Sequence, residues 1–494
     1  MSVNLSKKAA CVLALANLIA VIGTAGCSAG QEKETDPRFI GTPETTEAPP
    51  GNTDELLAGG DKDYYVPFQD PDHSYCLINE GFGTPVRQQG MGGCYCYAAV
   101  TSMQSSYLKE HGELIDINPV DIINRIYEMP DTSDGKEPQY DEEKFYVATV
   151  QPLDLGGDID RVTGALCADP LNGYLVSEAN GFGSYNTNGT NSVTEDDIKG
   201  YIREYGAICL AVNYKKDCKY INGYYTQNYQ NNAEDRDHVA AIVGWDDDFP
   251  AECFKTPATR NGAWLVQNSF GDFWGNCGFY WVSYDMPIPE LGNCSVTKEY
   301  SSAISYGRFP MAVVYSSDVM DKLGEEMDFS NITMDDITNG GDVAVATVYE
   351  QKGSVGAVGL WTYAPGQPYT VEILEGEFGK VLASSSGSFE HSGYHTVKFD
   401  KPVSVKKFTV VVKTTGIAVF EGESMDNVKV YTILQRAYAH YEAKSQPGRS
   451  FIQAGEDWVD VTDPSLKSRL GLDDIPDYET VVTPGDPCIT VLFI

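Results

Sequence analysis

Two cysteines, Cys94 and Cys96, follow a glycine-rich stretch and open a run of small residues in PVRQQGMGGCYCYAAVTSM, residues 85–103. Thiols so placed serve as core filler, as metal ligands, as a redox pair, or as a nucleophile beside a packing residue. The last of these needs a base. Of the 6 histidines, His73 and His111 sit in polar surroundings, and His391, His395 and His440 lie far along the chain. His238 differs, because it opens the apolar run HVAAIVGW directly after the charged NNAEDRD, which puts an imidazole at a strand end next to solvent. A second strand-like run, GAWLVQ, leads into Asn268. A neutral amide there accepts an imidazole N–H and fixes the ring without titrating, the orienting part in a Cys-His-Asn triad.

A nucleophilic thiol has to be positioned. After Cys94 the apolar or small positions Tyr97, Ala98, Val100, Met103, Tyr107 and Leu108 recur mostly on one helical face, and Gly112 stands where a helix would stop. The pattern predicts a helix headed by Cys94. A thiol at a helix N-terminus feels the positive end of the helix dipole, which favours thiolate. Side chains two apart on a helix point to nearly opposite faces, so only one of Cys94 and Cys96 can meet His238.

At 494 residues the chain exceeds the size at which one hydrophobic core keeps growing, which predicts two domains with accessory segments. A formal charge of −36 with 35 Lys and Arg argues against nucleic acid or anionic lipid as a partner held by charge. Lys7 and Lys8 ahead of the apolar run from Ala9 to Ile22 read as an export signal, too short for a comfortable membrane span. The following GTAGCSAG resembles the lipobox of bacterial lipoproteins, with Cys27 as the lipidated residue and Thr24 where an aliphatic residue is usual. Lipidation predicts a cell-surface protein whose contact with the membrane is that anchor; plain cleavage predicts secretion.

Composition divides the rest. Residues 1–27 are the signal peptide with its lipobox-like end, and 28–60, centred on GTPETTEAPPGNT, are too polar to fold and form a disordered tether. Residues 61–300 mix helical and strand patterns. Residues 301–494 carry DVAVATVYE, AVGLWTYA, YTVEILEG, YHTVKFD, KFTVVVKT and CITVLFI, short strands that predict a β-sandwich. Among the 12 cysteines, Cys209 and Cys488 sit in apolar runs and read as buried thiols, while Cys76, Cys167, Cys218, Cys253, Cys277 and Cys294 are open to pairing. No C-x-x-C pair or dense His/Cys cluster marks a metal site, and the acidic TEDD and DDD loops read as solvated turns.

Three motifs in register, QGMGGCYCYAAV, DHVAAIVGW and QNSFGDFWGNCGFYWV, resemble the papain-like cysteine peptidases, which show Q-G, a glycine turn, C-W-A-F, a histidine opening an apolar strand, and N-S-W-G-x-x-W-G. The resemblance implies an α+β catalytic domain, a helical lobe plus a β-barrel-like lobe, over 61–300. Aligned on the helix, it makes Cys94 the nucleophile and Cys96 a packing residue; counted from Gln89, the nucleophile's place falls on Tyr95, so the loop is one residue shorter than in papain. It further implies His238 as acid–base and Asn268 as orienting partner. Gln89, or Gln88 with the shortened loop, becomes the side-chain donor to the oxyanion. Gly156 and Gly157 become substrate-binding backbone, and Phe270 and Trp274 stand at the two tryptophan positions that shield the Asn-His pair. No cofactor is required, and the substrates are peptides or proteins. GSVGAVGLWTYAPGQPYTVEILE and PGRSFIQAGEDWVDV resemble the all-β lectin-like sandwich that follows the peptidase domain in exported bacterial relatives. Carbohydrate is thereby a second partner to test, through Trp361, Tyr363, Tyr369 and Trp458. The readings that compete with an endopeptidase are a silent surface adhesion protein and a transpeptidase or amidase acting on cell-wall peptides.

Overall fold

A computed structural model of the chain describes residues 11–14, 72–89, 92–126, 146–147, 157–187, 192–214, 218–230, 237–316, 318–319, 322, 332–421, 424–429, 436–441, 445–469 and 485–494. Cys27, Gly156 and the stretch read as a tether lie outside these. Cys11–Ala14, within the stretch read as an export signal, pairs antiparallel with a strand at Pro310–Tyr315. Among the described residues, no helix is long and apolar enough to cross a membrane.

The helix expected after Cys94 spans Cys94–His111 and ends at Gly112, whose left-handed backbone (φ 69°) lets its N–H reach Leu108 O. That conformation suits glycine, which has no Cβ to clash. The one-faced pattern is corrected: every residue from Cys94 to Ser105 is buried, polar Thr101, Ser102, Gln104 and Ser105 included. The polar side chains are tolerated because they find partners, with Thr101 Oγ1 donating to Tyr97 O, Gln104 Nε2 to Ile115 O and Ser105 Oγ to Phe82 O. A helix enclosed on all sides is a rigid platform for its first residue.

On one side lie the short helices Pro119–Ile126 and Ile159–Leu166. On the other runs a sheet in the order Leu175–Tyr185, Ile288–Thr297, Ile208–Val212, His238–Asp246, Ala263–Gln267, Phe279–Ser283, Tyr224–Gln227, Lys219–Ile221. The central strand His238–Asp246 is buried along nearly its whole length, which is why HVAAIVGW reads as a continuous apolar run.

All six runs noted toward the C-terminus supply strands. One sheet is ordered Val381–Ser388, Pro368–Glu375, Phe408–Thr415, Asp342–Tyr349, Ser450–Ala454, Asp457–Asp460; it faces a second that contains Ser302–Ser305, Thr490–Phe493, Gly353–Thr362 and Ser392–Val405. Val345, Val371 and Val410 of the first are buried in one core with Val358, Val397 and Val491 of the second, as a sandwich requires. The second sheet does not end there. Ser392–Val405 pairs antiparallel with Leu175–Tyr185, Ser392 opposite Gly181 and His395 opposite Glu178, so it continues into the sheet that carries His238. The pairing covers what would otherwise be an exposed edge on each domain.

Candidate active site

His238 begins the central strand, opposite Val212, and Asn268 follows the neighbouring strand, whose Gln267 lies opposite Ala241. The register therefore brings the two side chains together: His238 Nε2 is 2.7 Å from Asn268 Oδ1. An amide oxygen only accepts, so Nε2 carries the proton and Nδ1 is the nitrogen left to act as a base. Asn268 is itself held, its N–H donating to Gly278 O at 2.8 Å and its Oδ1 accepting the Ser269 N–H at 2.8 Å. Both side chains are 3% exposed, so water does not compete for the bond.

Aromatic rings enclose the pair. Phe270 lies 4.8 Å from the His238 ring at 31°, and Trp274 meets Phe270 edge-on at 5.4 Å. Tyr214, which the sequence reading did not single out, joins this group.

The segment ahead of the helix is fixed to the loop that carries Asn268. Gln89 N–H donates to Ser269 O at 2.7 Å, Gly271 N–H donates to Arg87 O at 3.0 Å, and Gln88 bridges to Phe270. Ser269 Oγ donates to Gln89 Oε1, which leaves the amide NH₂ of Gln89 as the donor end; Gln88 is exposed. Five residues on, Cys94 opens a helix whose N-cap, Gly93, offers no side-chain cap and whose first turn holds no acidic residue. Nothing in that turn neutralises the partial positive charge that favours a thiolate.

The Cys94 sulfur is in a disulfide. The sequence carried no signal for this bond, and nucleophilic chemistry at Cys94 requires its reduced form. Cys96 is the opposite kind of thiol, free, fully buried and held well above the usual thiol range by desolvation. The six cysteines left open to pairing, Cys76, Cys167, Cys218, Cys253, Cys277 and Cys294, are all free.

Gly157 approaches this helix so closely that a Cβ would sit 2.6 Å from the Tyr95 ring. Only glycine lets the backbone before Asp158 pass there. Beside it lies a small cavity of about 10 Å³ walled by Ile159, Ala211 and Val239, with Asp158 and Glu290 among its lining. Among the described residues no group of three or more His, Cys, Asp or Glu could hold a metal ion. Of the aromatic residues considered for sugar stacking, Trp361 and Tyr363 are buried. Tyr369 and Trp458 are half-buried, packed against Phe389 and Phe378 respectively.

Residues 78–304 match the family model described as papain family cysteine protease, and residues 330–470 that of a lectin-like domain. A viral cathepsin of Heliothis zea nuclear polyhedrosis virus is 21% identical over 228 residues; the match takes in 44% of this chain and 53% of the relative, about half its length. The fold is similar to that of a clostridial cysteine protease, Cwp84, after propeptide cleavage, with TM-score 0.57, 17% identity and coverage of 85% of this chain and 98% of that one. A structure of the cysteine protease and lectin-like domains of Cwp84, a surface layer associated protein of Clostridium difficile, gives TM-score 0.56 and 18% identity over 91% of this chain and 97% of that one.

Proposed function

We propose that this chain, whose residues 78–304 match the papain family cysteine protease model and whose residues 330–470 match that of a lectin-like domain, is a cysteine-type endopeptidase working outside the cell. Cys94 is its nucleophile, His238 its acid–base group and Asn268 its orienting residue. The observation that carries this reading is the buried 2.7 Å contact between His238 Nε2 and Asn268 Oδ1, which leaves Nδ1 as the basic nitrogen of a ring that cannot swing. In the reduced enzyme the Cys94 thiol gives its proton to Nδ1. The sulfur then bonds to the peptide carbonyl carbon, Gln89 and the Cys94 N–H hold the oxyanion, and the imidazolium returns its proton to the leaving amine as the C–N bond breaks. Water, deprotonated by the same ring, releases the acyl group.

Export rests on the signal-like N-terminus and on the surface-layer association of Cwp84; Cys27 would carry the lipid. The test is mass-spectrometric mapping of the mildly reduced full chain after brief exposure to a peptidyl epoxide at about pH 6, where an activated thiolate reacts and an ordinary thiol does not, alongside hydrolysis of a denatured protein. Labelling of Cys94 that is lost in His238→Ala, together with hydrolysis, is expected. A folded, reduced protein that takes no label would make the chain a silent binding protein. Product that forms only with added amine would make it a transpeptidase.

A further inference from the structure

We propose that Tyr214 is a positioning residue for His238, supplying the part of the aromatic shield that Phe270 does not cover. The inference rests on the peptidase reading and concerns how its base is held. Tyr214 is brought to the site by the backbone: His238 is opposite Val212 in the sheet, Asp237 N–H donates to Val212 O at 3.1 Å, and Asp237 Oδ1 accepts the Tyr214 N–H at 2.8 Å. Its ring lies 5.4 Å from that of His238 and meets Phe270 edge-on at 5.0 Å. The phenol is anchored from behind, its oxygen accepting Trp274 Nε1–H at 3.1 Å. His238 thus has two aromatic neighbours, Phe270 and Tyr214, and the second is held by the indole that packs on the first.

The physical need is plain. An imidazole N–H bonded to a neutral amide keeps its direction only while water is kept from both partners. Tyr214 adds a second ring and ties it to the Trp274 side chain.

The experiment uses the full-length, reduced chain with Tyr214→Ala and Tyr214→Phe, and Tyr214→Val as a second truncation should the alanine variant fail to fold by urea titration. Two readouts are taken. The first is the NMR signal of the His238 Nε2 proton, assigned by its loss in His238→Ala, which needs no turnover and so stands whether or not the peptidase reading does. The second is kcat and KM on a peptide substrate. Truncation is expected to broaden the proton signal through exchange with water and to lower kcat about tenfold with KM within about twofold. Tyr214→Phe, which keeps the ring, should retain the signal and stay within about threefold in kcat. A truncated variant that folds and keeps both a sharp signal and its kcat overturns the proposal, as does a phenylalanine variant as impaired as the truncation.

Discussion

Glu178 Oε2 and His395 Nδ1 face each other at 2.8 Å across the seam where the two domains pair strand to strand. The histidine is buried and fully engaged: Nε2 contacts His391 O at 3.0 Å and its ring stacks on Phe389 at 4.0 Å. Glu178 also accepts the Thr396 N–H, and Thr396 Oγ1 donates to Ser177 O. Side chains and backbone thus fasten the same four-residue contact.

The seam should therefore contribute measurably to stability without touching the chemistry. His395→Ala is expected to lower the unfolding free energy of the full chain by about 1.5–3 kcal/mol, the range for a hydrogen bond to a charged group. Labelling of Cys94 by an epoxide should not change. Urea unfolding followed by intrinsic fluorescence reads the first, and an unshifted midpoint would count against the latch.

Cys94 and Cys96 should separate cleanly. Activity is expected only from protein whose Cys94 carries a free thiol, the form that nucleophilic chemistry requires. Cys94→Ala should lose at least about 10³-fold in kcat/KM. Cys96→Ser should keep most of its activity and pay mainly in stability, since burial holds that thiol protonated. A Cys96 variant as inactive as Cys94→Ala would transfer the nucleophile to the second cysteine.

Gln89 and Ser269 are expected to act as a unit. Gln89→Ala should cost about 10²–10³-fold in kcat, the loss seen when one oxyanion donor is removed. Ser269→Ala, which frees the Gln89 amide to turn, should cost less. In the double variant the two losses should not add, because the hydroxyl acts through the glutamine. Simple additivity in a double-mutant cycle would leave Ser269 without the proposed link.

Asp160 predicts a pH dependence of stability. It is buried, its Oδ1 has no hydrogen-bond partner, and desolvation followed by the nearby Asp158 and Glu290 carboxylates holds its carboxyl well above the usual range. Above about pH 3.8 the unfolded chain releases this proton while the folded chain keeps it, so the folded state binds more protons and stability falls as pH rises. Asp160→Asn, which cannot ionise, should match the parent in acid and exceed it near neutrality. Urea midpoints that differ by the same amount at both pH values would rule this out.

Much of the site could be read from residue order alone. A histidine opening an apolar strand and an asparagine closing the next one are local patterns, and antiparallel pairing brings them together. The helix from Cys94 was equally legible, because Gly93 and Gly112 bracket it. What escaped were relations between segments distant along the chain. Tyr214 carries no motif, and its place beside His238 comes from a strand register that sequence periodicity does not reveal. The enclosure of the Cys94 helix was hidden by Thr101, Ser102, Gln104 and Ser105, polar residues that look solvent-facing until their backbone partners are known. Trp361 and Tyr363 were open to sugar stacking in the sequence, yet both are buried. The continuous sheet was invisible for the same reason as Tyr214: the pairing of Ser392 with Gly181 joins strands that share no pattern.

That sheet has a mechanical consequence. Pulling on the C-terminal half loads the pairing of Ser392–His395 with Glu178–Gly181, and through that sheet the strand that holds His238. A load applied to the C-terminal half would therefore pass through the paired strands into the half that holds His238.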